Sequence, residues 1–132
     1  MDRPGGDTVI PEDLHYSREH EWVRPDGDVV TVGVTHYAQD QLGDIVFVEL
    51  PEVGEAVASG SVIGELESTK SVSDVFSPVD GEVVERNETL DSTPETINGD
   101  PYGEGWLLRI RVAGDPTEGL LDASGYAAHI AG

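Results

Sequence analysis

Short runs of apolar and β-branched residues, separated by glycine and proline, dominate the chain. Residues 22–24 and 29–34 flank the sequence Pro-Asp-Gly-Asp at 25–28, and an Asp-Gly pair between two apolar runs predicts a β-hairpin. Further strands are predicted over residues 45–50, 62–67, 72–76 and 106–112, the first of them buried. The pattern therefore predicts a mostly β fold.

Helices are predicted in only a few places. Thr35 is a suitable N-cap for a short helix through Leu42, and Gly43 follows where a C-terminal cap is needed. Residues 115–121 and 124–130 are predicted to be short C-terminal helices, the second capped by Ser124. Residues 87–105 are predicted to be polar turns. Helices are thus expected only at the periphery of the β structure.

One seven-residue pattern occurs twice. Pro-Glu-Val-Gly-Glu-Ala-Val at 51–57 and Pro-Val-Asp-Gly-Glu-Val-Val at 78–84 share the pattern P-x-x-G-E-x-V at an offset of 27 residues. Two unrelated junctions between a turn and a strand would give the same match, because several of these residues are common in turns. The alternative is a quasi-symmetric pair of hairpin halves, whose midpoint would fall close to Lys70.

The length of 132 residues fits one compact domain. Residues 1–13 contain two prolines and two glycines and are predicted to be a flexible leader. Residues 14–132 are predicted to form a single domain with a helical C-terminal segment.

The chain is strongly acidic. It has 27 acidic and 7 basic residues, which give a formal net charge of -20 at pH 7. This charge repels nucleic acid phosphates and anionic membrane surfaces, so neither is an expected partner. It also opposes self-association, and we expect a monomer. Docking to basic surfaces of larger partners and simple solubility are both consistent with such a charge.

The chain has no cysteine, which excludes disulfides, zinc thiolates and thiol nucleophiles. Any redox-active sulfur must therefore be supplied by a cofactor. The N-terminal residues show neither the apolar segment of a secretory signal nor an arginine-rich transit peptide, and no apolar stretch is long enough to span a membrane. The sequence favours a bacterial cytoplasmic protein over a mature organellar one.

Lys70 is the only lysine in the chain. It lies in the polar run Ser-Thr-Lys-Ser at 68–71, between two predicted strands, and is therefore expected at the tip of a hairpin. A composition poor in lysine would also explain a single lysine, but a hairpin tip gives an amine good access to a modifying enzyme. Catalysis by this amine is not expected, because a catalytic lysine needs burial or a neighbouring cation. Covalent modification of Lys70 is the favoured interpretation.

The other reactive residues form no enzyme signature. The spacing of the four histidines (His15, His20, His36 and His129) matches no helix-borne metal site, so no metal is predicted. The sequence has no glycine-rich phosphate loop before a helix and no G-x-S-x-G motif, and its carboxylates are too numerous to single out an acid–base pair. The chain is therefore not predicted to be an enzyme.

Several longer blocks of sequence carry a resemblance to a known family. They are Tyr-Ser-Arg-Glu-His-Glu-Trp-Val at 16–23, Ala-Gln-Asp-Gln-Leu-Gly-Asp-Ile-Val-Phe-Val-Glu-Leu-Pro at 38–51, Glu-Ser-Thr-Lys at 67–70, Ser-Pro-Val-Asp-Gly-Glu-Val at 77–83, and Asn-Gly-Asp-Pro-Tyr-Gly-Glu-Gly-Trp at 98–106. Together they extend over about residues 14–126 and resemble the lipoyl-carrier H proteins of the glycine cleavage system. The modified tetrapeptide of that family is more often Glu-Ser-Val-Lys, and here Thr69 replaces the valine with another β-branched residue.

The resemblance implies a fold and a function. The fold is a lipoyl/biotinyl-carrier-like flattened β-barrel or sandwich of two small sheets, with lipoate attached covalently to Lys70 by a separate lipoylating enzyme. The lipoyl group would accept an aminomethyl group from glycine decarboxylase (the P protein) and deliver it to an aminomethyltransferase (the T protein). Dihydrolipoyl dehydrogenase (the L protein) would then reoxidise it.

The resemblance also implies a shallow cleft beside the hairpin that holds the loaded aminomethyl group. By their places in the matching blocks, Glu19, Glu21 and Asp74 are expected to line this cleft. Carboxylates suit this role because an ammonium group can leave water only when charge-assisted hydrogen bonds replace its hydration.

Related carriers differ around the modified lysine. A lipoyl domain of a 2-oxo acid dehydrogenase usually has Asp-Lys-Ala and a Pro/Ala-rich linker, and a biotin carrier has Met-Lys-Met. This chain has Thr-Lys-Ser and no such linker. An H-like protein that relays lipoate to other acceptor proteins, and an acidic interaction module without a prosthetic group, remain the alternatives.

Overall fold

The structure, a computed structural model, describes residues 10–131. The described residues contain nine β-strands and four helices. The strands are β1 His15–Tyr16, β2 Glu21–Asp26, β3 Val29–Val34, β4 Ile45–Glu49, β5 Ala56–Val57, β6 Val62–Ser68, β7 Val72–Phe76, β8 Gly81–Arg86 and β9 Leu108–Arg111. The helices are α1 His36–Leu42, α2 Thr89–Ser92, α3 Thr96–Gly99 and α4 Ala123–Ala131. Most of the predicted leader, residues 1–9, lies outside the described part of the chain.

The strands form two antiparallel sheets. The large sheet has six strands in the order β1-β2-β3-β9-β8-β5, and the small sheet has three in the order β4-β6-β7. One hydrophobic core joins them, since Val32 and Ile110 of the large sheet and Leu66 and Val75 of the small sheet belong to the same buried cluster. Neither sheet closes on itself within residues 10–131. The predicted mostly β carrier fold is confirmed, in its sandwich form.

The first predicted hairpin and the first predicted helix are both confirmed. β2 and β3 pair in continuous register around a turn at Gly27, whose φ is +68°. The side chain of Thr35 caps α1 by accepting a hydrogen bond from the Ala38 N–H at 3.2 Å. Gly43 ends this helix at a φ of +85°, and its N–H donates to the Gln39 carbonyl.

The small sheet contains the second predicted hairpin, formed by β6 and β7. Its inner face packs on the core, whereas its outer face meets solvent. The prediction that residues 45–50 form a buried strand is therefore wrong for Val46 and Phe47, which are 51% and 54% exposed. A β-bulge between Ile45 and Phe47 places these two successive side chains outside the core.

The two copies of the repeated pattern lie side by side. The first copy contains β5 and the second contains the start of β8, and these strands pair antiparallel with Ala56 opposite Glu82 and Val57 opposite Gly81. This pairing is extended by a hydrogen bond from the Gly54 N–H to the Val83 carbonyl at 2.8 Å. The repeat therefore corresponds to two paired segments of the large sheet.

The C-terminal third differs most from the prediction. Residues 115–121 contain a turn at 116–119 and a β-bridge from Leu121 to Tyr16, and not a helix, because Asp115 holds Thr117 in a local turn and Gly119 has a φ of +81°. Helix α4 begins one residue earlier than predicted, and its side-chain cap is Asp122, which accepts from the Gly125 N–H, and not Ser124. Other differences are that residues 87–105 contain α2 and α3 and that the strand predicted over 106–112 spans 108–111.

A second, aromatic cluster packs the N-terminal part of the described chain against the C-terminal helix. Tyr16 and Trp22 of the large sheet and Tyr126 of α4 are fully buried in it, and Ile10 packs against them. The rings of Tyr16 and Tyr126 stack at a centroid distance of 4.7 Å. Among residues 10–131, no helix has the length and apolar character needed to cross a membrane.

Candidate functional site

The tip of the β6–β7 hairpin is a tight turn organised by Ser68. The Ser68 N–H donates to the Ser71 carbonyl at 2.8 Å. The Ser68 hydroxyl oxygen accepts from the N–H groups of Lys70 at 3.2 Å and Ser71 at 3.0 Å. Since Ser68 itself is buried, these bonds hold the backbone of Lys70 while its side chain remains exposed. The predicted position of Lys70 at a hairpin tip is confirmed.

The turn rests on the segment that follows α1. The Thr69 N–H donates to the Asp44 carbonyl at 3.0 Å, which ties the tip to this segment. The side chain of Lys70 passes over Gly43, so closely that a β-carbon there would lie 3.2 Å from Cε and 3.9 Å from Nζ. A side chain at position 43 would thus crowd the lysine in addition to straining a backbone with positive φ.

Asn98 of α3 holds the supporting segment. Its Oδ1 accepts from the Ile45 N–H, and its Nδ2 donates to the Gly43 carbonyl and to Gln39 Oε1, each at 2.9 Å. Asn98, Gly43 and Ser68 are site residues that were not predicted from the sequence. The available signal was that Asn98 begins one of the long resembling blocks and that Ser68 and Gly43 lie inside two others.

No carboxylate within residues 10–131 forms an ion pair with the Lys70 amine. Every ion pair within residues 10–131 is made by Arg86, Arg109 or Arg111. An exposed amine that forms no ion pair can be acylated without breaking a structural contact of that kind. The residues present therefore fit a lipoyl amide at Nζ of Lys70.

The outer face of the small sheet carries two rows of exposed side chains beside the tip. The row nearest the tip contains Phe47, Glu67 and Val72, which lie opposite one another across β4, β6 and β7. The next row contains three carboxylates, Glu49, Glu65 and Asp74, paired in the same way. Asp74 is therefore part of an exposed acidic row on this face.

Glu21 lies in a different environment from the other two predicted cleft residues. It is 1% exposed, and its Oε1 accepts from the Ser17 hydroxyl at 2.5 Å while its Oε2 accepts from the Phe76 N–H at 3.0 Å. The second bond joins β2 of the large sheet to β7 of the lysine-bearing hairpin. Burial raises the pKa of Glu21 to about 7, against the opposing effect of these two hydrogen bonds and with a further contribution from the charge of Glu19.

The three residues predicted to line the cleft therefore differ in their access to an aminomethyl group. Glu19 and Asp74 are exposed, and their contact with an aminomethyl group stays a prediction. For Glu21 the same contact would require the carboxylate to leave the Ser17 hydroxyl and the Phe76 N–H. The arrangement gives Glu21 a structural role between the two sheets.

Comparison with known proteins gives one consistent result. Residues 14–131 match the family described as "Glycine cleavage H-protein". The chain belongs to this family. Its members are lipoate-bearing carrier components of the glycine cleavage system and not catalysts, which confirms the predicted family and the prediction that the chain is not an enzyme.

Individual relatives agree along almost their whole lengths. The glycine cleavage system H protein of Rubrobacter xylanophilus is 57% identical over 118 residues, covering 89% of this chain and 92% of that protein. The H protein of Alteromonas mediterranea is 58% identical over 120 residues, with the same coverage of 89% and 92%. A crystal structure of the H protein from Mycobacterium marinum superposes with a TM-score of 0.85 at 45% identity, covering 92% of this chain and 99% of that one.

Proposed function

We propose that this H-protein family member carries lipoate as an amide on Lys70 and shuttles an aminomethyl group between the enzymes of glycine cleavage in a bacterial cytoplasm. Its partners would be glycine decarboxylase, an aminomethyltransferase, dihydrolipoyl dehydrogenase and a lipoylating enzyme. One observation carries the proposal. The only lysine of the chain is exposed at the tip of the β6–β7 hairpin, in a turn whose backbone is held by hydrogen bonds.

The chain supplies presentation, and the cofactor supplies the reactive sulfur. When attached, the lipoyl group offers a dithiolane that can accept the aminomethyl unit and afterwards be reoxidised. Ser68 and Asp44 hold the attachment point rigidly through hydrogen bonds to Lys70, Ser71 and Thr69. Because the chain has no cysteine, no protein thiol of its own can attack a disulfide at this site.

The outer face of the small sheet supplies a surface beside the attachment point. Phe47 and Val72 are 54% and 57% exposed and lie in the row nearest the tip, with Glu67 between them. Exposed apolar side chains rimmed by carboxylates suit a partner that offers apolar contacts within a basic surface. The proposal therefore assigns this face to the approach of the partner enzymes.

Lys70→Arg should abolish both lipoylation and carrier activity while leaving the fold intact. Arginine keeps the charge but offers no amine that an acylating enzyme can use. Intact mass after incubation with lipoate and a lipoylating enzyme should show one added lipoyl group on the wild type and none on the variant. Glycine-dependent release of carbon dioxide with the partner enzymes should follow the same pattern.

The thermal midpoint provides the control for this comparison, because replacing an exposed side chain is expected to change stability by no more than about 0.5 kcal/mol. Unmodified wild-type protein under conditions that lipoylate another H protein would contradict the proposal, as would lipoate on the Lys70→Arg variant.

We expect the net charge to steer encounters with the decarboxylase more than it stabilises the complex. Exposed charges are screened beyond about 8 to 10 Å at physiological salt. Stopped-flow binding should therefore show an association rate that falls with ionic strength by a larger factor than the dissociation rate rises. Replacing the exposed acidic row with Glu49→Gln, Glu65→Gln and Asp74→Asn should reduce this salt dependence. An association rate independent of salt would contradict the steering hypothesis.

A further inference from the structure

We infer that Asn98 is a positioning residue for lipoylation: through the segment 43–45 it fixes the orientation of the hairpin tip that presents Lys70. The inference rests on the proposed function, in that it takes Lys70 as the attachment site. It concerns a residue 28 positions from the lysine in sequence, on a different secondary-structure element.

The side-chain amide of Asn98 makes three hydrogen bonds. One amide group has two donors at Nδ2 and two lone pairs at Oδ1. Both donors and one lone pair are used here, with the Gly43 carbonyl, Gln39 Oε1 and the Ile45 N–H as partners at 2.9 Å. The side chain thus bonds to the backbone on both sides of Asp44 and clamps the segment at two points.

The segment that Asn98 clamps contacts the turn that carries Lys70. The residue held between the two points, Asp44, offers its carbonyl to the Thr69 N–H at 3.0 Å. Gly43, held by the same amide group, is the residue over which the stem of Lys70 lies. Ile45 is the register partner of Ser68, whose hydroxyl accepts from the Lys70 N–H. Each residue of the clamped segment therefore contacts or pairs with a residue of the tip.

Segment 43–45 lies at the junction of α1 and β4 and has few regular backbone bonds. Gly43 ends the helix with its N–H bonded to the Gln39 carbonyl, and Ile45 begins the strand, where it pairs with Ser68 beside a β-bulge and packs its side chain in the core. Irregular backbone of this kind is positioned by side-chain hydrogen bonds more than by secondary structure. Asn98 provides those bonds from α3, where the neighbouring Ile97 is fully buried and anchors the helix in the core.

The chain offers a matched control in Asn87. Its amide group makes the same number of hydrogen bonds: Nδ2 donates to the carbonyls of Glu104 and Trp106, and Oδ1 accepts from the Thr89 N–H. None of these partners belongs to the tip or to segment 43–45. Substitutions of Asn87 therefore remove the same number of amide hydrogen bonds as substitutions of Asn98, but leave the segment that supports Lys70 intact.

The experiment compares Asn98→Ala and Asn98→Asp with Asn87→Ala and Asn87→Asp in the full chain. Asn98→Asp retains an acceptor for the Ile45 N–H but cannot donate to the Gly43 carbonyl, so it tests the clamp if the alanine variant does not fold. Amide hydrogen exchange of Thr69 and kcat/KM for lipoylation by a lipoylating enzyme are measured for each variant, with the unfolding midpoint as the reference for general destabilisation.

We expect both Asn98 variants to speed Thr69 exchange and to lower kcat/KM for lipoylation by about tenfold or more, because small misplacements of a reacting group cost large factors in rate. The Asn87 variants should lose comparable stability without either effect. Equal Thr69 exchange and equal lipoylation in the two sets, at matched stability, would overturn the inference. A wild type that takes up no lipoate would contradict the proposed function, while the exchange measurement would still decide the role of Asn98.

Discussion

Exchanging the residues at 69 and 70, in the double variant Thr69→Lys, Lys70→Thr, should reduce the rate of lipoylation by about a hundredfold or more. The shift moves the amine along the chain by one Cα spacing, about 3.8 Å, and changes the direction in which the side chain leaves the turn. The turn is not free to compensate, because the Thr69 N–H is bonded to the Asp44 carbonyl and the N–H of residue 70 to the Ser68 hydroxyl. Time courses of intact mass with a lipoylating enzyme measure the rate directly.

Two controls isolate the effect of position. Thr69→Val, which creates the tetrapeptide more common in the family, keeps the lysine in place and should be lipoylated at the wild-type rate. Lys70→Thr alone removes the only lysine and sets the background. Lipoylation of the double variant at a rate near that of Thr69→Val would show that access alone, without fixed presentation, is sufficient for modification.

The position of Lys70 was predictable because the signals that determine it are local. Two β-rich runs flank a short polar segment, and this pattern specifies a hairpin whatever the rest of the chain does. The cap residues Thr35 and Gly43 were predictable for the same reason, since capping depends on residues within one or two turns. The family resemblance then supplied the chemistry, which the hairpin pattern alone does not define.

The support of the hairpin was not predictable, because it depends on contacts between residues distant in sequence. Asn98 bonds to Ile45 and Gly43 across 53 and 55 residues, and no local pattern in an Asn-Gly-Asp-Pro sequence distinguishes such a clamp from an ordinary turn residue. The exposure of Phe47 and the burial of Glu21 were not predictable for a related reason. Both depend on which face of a strand meets the second sheet, and this is decided by tertiary packing and by a bulge.

The helix wrongly predicted over residues 115–121 shows a limit of another kind. Asp115 is an acceptable helix cap, but here its carboxylate binds the N–H and the hydroxyl of Thr117. Short polar side chains that bond to nearby backbone favour turns as readily as helix starts. The positive φ of Gly119 then directs the chain away from a helical path. The choice between the two outcomes depends on the glycine, which the prediction took as a helical residue.

Glu21→Gln should remove a large pH dependence from the stability of the protein. In the wild type, burial raises the pKa of Glu21 from 4.5 to about 7. Below pH 4.5 the group is protonated in both the folded and the unfolded chain, so it carries no penalty there. As the pH rises towards 7, the unfolded chain releases its proton while the folded chain retains it, and the free energy of unfolding falls. The loss approaches about 3 kcal/mol above pH 7.

A glutamine at position 21 is neutral at every pH and has the same shape as the protonated acid. Its amide oxygen can accept from the Phe76 N–H, and its amide NH2 can donate to the Ser17 hydroxyl. The variant can therefore form a hydrogen bond to each of the two partners of the wild-type carboxyl group. The variant should therefore match the wild type in stability near pH 4.5 and exceed it by about 3 kcal/mol near pH 8. Urea unfolding at a series of pH values measures the difference.

Glu19→Gln is the matched control for this comparison. It removes one negative charge from an exposed position two residues away. It therefore measures how much a smaller net charge, starting from -20, by itself reduces the pH dependence of the free energy of unfolding. Its stability curve should run nearly parallel to that of the wild type, whereas the curve for Glu21→Gln should diverge between pH 4.5 and 7. Three parallel curves would mean that the Glu21 carboxylate is ionised at no cost between the sheets. In that case the bond to the Phe76 N–H would stabilise the lysine-bearing hairpin equally at acidic and neutral pH.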